Sequence, residues 1–123
     1  METTIWVDAW QMQCCGEPFS VGSRVTWTLA GADSITSVLG DSVTVHAAEE
    51  HHGGVPDGTQ PTEAKVTAIS AVHCRHAPAH GADQRTLYPV PSSAVLTPLL
   101  SADGRTRDRD DLRFVGYLVH LAT

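Results

Sequence analysis

Lysine is nearly missing from this sequence. Lys65 stands alone among 123 residues, and arginine supplies the rest of the eight basic side chains. Set against 14 acidic residues, they leave a formal charge of −6 with histidine neutral. A nucleic-acid binder presents a basic face to phosphates, and no such stretch is visible here. The densest basic run, Arg105, Arg107 and Arg109, is interleaved with Asp108, Asp110 and Asp111, which reads as a solvated loop. Nucleic acid is not an expected partner.

Long apolar runs are lacking too. Nowhere do about 18 apolar residues follow one another, so no membrane-spanning helix is expected. Met1 to Trp10 has no basic segment followed by an apolar one, so no secretory signal is expected. Cysteine is scarce: Cys14, Cys15 and Cys74 are odd in number, and two are adjacent, which makes a poor disulfide framework. Reduced thiols in a cytoplasmic protein are the expectation, and they leave sulfur available for metal or chemistry. Several signatures are absent: the G-x-S-x-G elbow, the phosphate-binding glycine loops, the H-E-x-x-H helix and paired C-x-x-C knuckles. Gly53-Gly54 without such a motif reads as a loop needing unusual backbone angles.

The composition that is present, 41% hydrophobic and 18% charged, suits one packed domain over residues 1–123. Thr4 to Trp10, Asp41 to Ala48, Glu63 to Ala77 and Leu112 to Leu121 are rich in strand formers. Ser23 to Leu29 alternates, with Val25, Trp27 and Leu29 on one face. In the Glu63 segment the alternation breaks near Ser70 and Ala71, predicting a bulge or burial on both faces. Pro89, Pro91 and Pro98 predict interrupted or edge strands across Thr86 to Leu100. Cys14 to Val21, Glu49 to Pro61, Ala77 to Arg85 and Ser101 to Asp111 read as loops and turns. Ala32 to Leu39, with Asp33 or Ser34 as cap and Gly40 as stop, fits a short helix. The predicted fold is mainly β: a small antiparallel barrel or sandwich with at most one short helix.

The sequence has seven histidines and three cysteines, and most gather in three clusters. These are Cys14-Cys15, Glu49-Glu50-His51-His52 and His73-Cys74-Arg75-His76. An extended backbone points Cys74 and His76 to the same face, a two-point chelate. Adjacent residues diverge on a strand, so one of Cys14 or Cys15 and one of His51 or His52 is expected to join them. Thiolate and imidazole in tetrahedral array suit zinc. With three protein ligands a water would fill the fourth position, and Glu49 or Glu50 would serve as general base on a small-molecule substrate. Two other readings compete. Cys74 or Cys15 beside a histidine would be a metal-free nucleophile. A proline-interrupted edge such as Tyr88 to Pro98 would dock a protein. Buried thiols with solvated histidines are the inert alternative.

Trp6, Trp10 and Trp27 read first as core packing, with a pocket wall as the alternative. Asp8 shares strand parity with Trp6 and Trp10. A carboxylate there belongs at an exposed rim or in a polar site, because unpaired burial is costly.

The string Trp10-Gln11-Met12-Gln13-Cys14-Cys15-Gly16-Glu17-Pro18-Phe19 resembles an uncharacterised family of small actinobacterial proteins. So do Val21-Gly22, Glu49-Glu50-His51-His52-Gly53-Gly54 and Ala71-Val72-His73-Cys74-Arg75. The likeness covers mainly the first 76 residues. It implies that the three clusters form one unit and carries no activity with it. Oligomeric state is not legible at this level.

Overall fold

A computed structural model describes residues 2–41, 43–51, 55–78 and 85–123, without the side chains of Cys15, Asp33 and Ser34. In chain order the elements are β1 (Glu2–Asp8), α1 (Ala9–Cys15), β2 (Phe19–Ser20), β3 (Arg24–Trp27), β4 (Leu29–Ala30), α2 (Asp33–Leu39) and β5 (Ala47–Glu49). There follow β6 (Thr62–Cys74), β7 (His76–Pro78), β8 (Leu87–Pro89), β9 (Val95–Leu99), β10 (Ser101–Ala102) and β11 (Arg113–Ala122). The mainly-β expectation holds, but two short helices are present rather than at most one. The additional helix, α1, takes Ala9 and Trp10 from the end of the segment read as a strand and Cys14 and Cys15 from the start of the one read as a loop.

The main sheet runs β3-β6-β11-β1-β5-β4, with β9 added to β6. Its two ends belong to one stretch of chain, since β3 and β4 are separated only by Thr28. Arg24–Trp27 pairs with β6, and Leu29–Ala30 pairs with β5. The Glu50 N–H donates to the Thr28 carbonyl at 2.8 Å and continues that seam. The sheet is thereby a nearly closed barrel, which hides edges that would otherwise pair with other chains.

The alternation in Ser23 to Leu29 has the predicted consequence: Val25, Trp27 and Leu29 pack against the barrel interior. Inside lie Ile5, Val7, Val66, Ile69, Tyr117, Val119 and Leu121, all nearly inaccessible. Each such side chain contributes about 1.5–3 kcal/mol by leaving water. Outside, α2 lays Ile35, Val38 and Leu39 against Trp6, Val72, Cys74 and Leu118. Strands β1, β6 and β11 are therefore apolar on both faces.

The irregularity predicted for β6 is real and has two parts. Thr67 is an extra residue opposite the His120–Leu121 step, and from Ala71 to Cys74 both faces are buried. A second extra residue, Val115, sits in β11 between Phe114 and Gly116. Gly116 is required there: a Cβ would lie 2.4 Å from the Val7 carbonyl oxygen and 2.6 Å from the Trp6 ring. The 43–46 segment is not a strand of the sheet. His46 nevertheless exchanges two hydrogen bonds with Thr4, its N–H reaching the Thr4 carbonyl and its Nδ1 accepting the Thr4 N–H, both at 2.9 Å. Among the described residues no helix is long and apolar enough to cross a membrane.

Candidate functional site

The open end of the barrel is built where β5 runs out. In β5, Ala47 faces the interior, Ala48 packs outside, and Glu49 faces inward again, as alternation demands. A carboxylate is thus carried to the barrel mouth and buried there, 7% exposed. Its partner is His51, whose Nδ1 lies 2.8 and 3.0 Å from the two Glu49 oxygens. A carboxylate only accepts, so Nδ1 carries the proton and donates, which leaves Nε2 as the acceptor nitrogen. The His51 side chain is 28% exposed, so the ring is held from behind and presented at the surface.

Helix α1 fixes this pair. Gln11, 4% exposed, donates from Nε2 to Glu50 Oε2 at 3.1 Å and accepts the His51 N–H on Oε1 at 3.2 Å. The helix is seated on the 103–106 segment by a close approach, because a Cβ on Gly104 would lie 2.8 Å from Met12 Cβ. The Gln13 side-chain N–H also donates to the Gly104 carbonyl at 3.2 Å. That segment is anchored in turn by Tyr117, whose hydroxyl accepts the Gly104 N–H at 3.1 Å and meets Thr106 Oγ1 at 2.8 Å.

Glu49 and His51 line a cleft of about 520 Å³ together with Val7, Met12, Phe19 and Trp27. This is within the usual size of small-molecule sites. Phe19 stacks edge-on against Trp27 at 5.1 Å and stiffens one wall. The cleft thus combines these apolar side chains with the polar Ser23, Arg24 and Thr26 and a carboxylate-oriented imidazole, a group able to take or give a proton.

The other residues singled out from the sequence lie elsewhere. Cys74 and His76 do point the same way, with Sγ 3.9 Å from Nδ1, as the two-residue spacing predicts. Cys74 is fully buried, and burial pushes its thiol up, which works against a ready thiolate. It lines a second cleft, while the exposed Cys14 lines a third. Cys14, His51 and Cys74 thus line three different clefts. Among the described residues no group of three or more His, Cys, Asp or Glu is placed to hold a metal ion. The Cys15 side chain and His52 lie outside the described residues. Glu50 is placed beside Gln11 rather than in the barrel-mouth cleft.

Sequence reasoning missed the roles of Gln11 and His73. His73 is 1% exposed and donates from Nε2 to the Arg107 carbonyl at 2.8 Å, so it ties the 103–111 loop to β6. Its Nδ1 is buried without a hydrogen-bond partner.

The chain belongs to a family of unknown function, DUF6578, which matches residues 1–123. No curated protein and no solved structure matches it.

Proposed function

We propose that the barrel mouth binds a small polar molecule and that His51 exchanges a proton with it. The carrying observation is the buried Glu49 carboxylate bonded to His51 Nδ1 inside the largest of the clefts described above. This arrangement fixes the ring tautomer and leaves Nε2 as the acceptor nitrogen, the usual way a histidine is set up as general base. Glu49 is then the positioning carboxylate for His51 rather than the base itself. Glu50, held by Gln11, keeps the end of β5 in register.

p-Nitrophenyl acetate, a generic acceptor for an activated imidazole, tests the assignment. The wild type should hydrolyse it faster than His51→Ala, and Glu49→Gln should fall between them. General-base contributions of this kind run to about 10²–10⁴-fold. Long-range ¹H–¹⁵N NMR should show His51 protonated at Nδ1 in the wild type and a mixed tautomer in Glu49→Gln. Equal hydrolysis by wild type and His51→Ala would overturn the proposal.

A further inference from the structure

On the outer face of the barrel, away from the Glu49–His51 pair, lies a cleft of about 410 Å³ between α1, α2 and β11. Its walls include Trp6, Trp10 and Phe114, and Cys74 forms part of its lining. Among the described residues that line it, Asp8 is the one ionisable carboxylate, and no lysine, arginine or histidine is present. We propose that this cleft binds a small organic cation, an alkylammonium or quaternary ammonium group, against Asp8 and the tryptophan rings.

The orientation of Asp8 supports this reading. The residue precedes α1, where an aspartate ordinarily turns its side chain onto the helix N–H groups. Here it makes no N-cap bond; the carboxylate takes the N–H of Ala9, the first residue of α1, and its Oδ2 accepts the Trp6 indole N–H at 3.4 Å. Trp10 also bonds to the Asp8 carboxylate, and Glu50 adds further negative charge nearby. Burial pushes the Asp8 carboxyl up, as expected for a half-buried anion with no cation among the described residues lining its cleft. Trp10 is 53% exposed, so core packing does not account for it. Aromatic walls and an anion together are the complement of an organic cation, which is attracted by both. An anionic ligand would meet Asp8 and Glu50 with like charge.

The test uses the whole chain and three probes: choline, n-butylammonium and 3,3-dimethylbutan-1-ol, the uncharged isostere of choline. Indole N–H signals in ¹H–¹⁵N spectra report the site directly. A saturable shift of the Trp6 and Trp10 signals with either cation is expected, with the neutral isostere at least about tenfold weaker. Asp8→Asn and Trp10→Ala should each weaken cation binding by about tenfold. Because Trp10 is half exposed, its removal leaves a readable protein even if Asp8→Asn folds poorly. No saturable shift with both cations would overturn the proposal. So would equal affinity for the neutral isostere, or binding unchanged in Trp10→Ala.

Discussion

Gln11 and Glu50 are 39 residues apart in the chain, yet the Gln11 side-chain N–H donates to the Glu50 carboxylate at 3.1 Å. The same amide accepts the backbone N–H of His51, so one buried side chain clamps the end of β5 through two bonds. Gln11→Leu should therefore lower stability by about 1–3 kcal/mol, the cost of leaving such partners unmet. Urea denaturation gives the figure. Unchanged stability would mean that water replaces the amide at no cost.

Gly116→Ala is expected to be among the most damaging single substitutions in the chain. The added methyl would meet backbone at Val7 and the rigid ring of Trp6, neither of which yields cheaply. Overpacking of this kind costs about 1–3 kcal/mol or more. Thermal denaturation should show a fall in Tm of several degrees for a domain of this size.

Asp8 carries a pH dependence of defined sign. Its carboxyl is raised in the folded protein by burial, so the folded state holds the proton more tightly than the unfolded state. This penalty is absent below the unfolded carboxylate range and fully present above the raised folded value. Asp8→Asn removes it. The stability of Asp8→Asn relative to wild type should thus rise as pH is taken from about 3 to 7. Urea titrations at several pH values measure the difference, and a falling one would contradict the burial argument.

Thiol labelling should separate Cys14 from Cys74. Cys14 is exposed, whereas Cys74 is fully buried with its thiol pushed up. Iodoacetamide followed by peptide mass analysis should modify Cys14 in the native protein. Cys74 should react only as fast as the protein opens.

Much of the fold was legible because alternation is a local property. Val25, Trp27 and Leu29 point inward as their spacing predicts; Pro89 and Pro91 separate β8 from β9, while Pro98 lies within β9, the strand added to β6. Helix α1 was not legible. Seven residues give too little periodicity, and two of its buried positions, Gln11 and Met12, are a polar residue and its neighbour. Barrel closure is equally invisible, since it depends on β3 and β4 pairing with strands remote in sequence.

The site was half legible. The two-residue rule that correctly brought Cys74 toward His76 applies equally to Glu49 and His51, where it was not used. The sequence reading makes Glu49 or Glu50 a general base and one of His51 or His52 a metal ligand, because Ala47–Glu49 is too short to reveal that Glu49 faces the interior beside His51. Asp8 was recognised as needing either solvent or a polar site. That both neighbouring indoles turn to it follows only from the path of the chain into α1.

Helix α1 works as a partition wall. Met12 lines both the barrel mouth and the third hollow, Gln13 both the outer cleft and the third hollow, Trp10 the outer cleft and Cys14 the third hollow. A guest that displaces this short helix on entering one compartment reshapes its neighbours. Thermodynamic reciprocity then obliges a guest in the adjoining compartment to alter the first by the same factor.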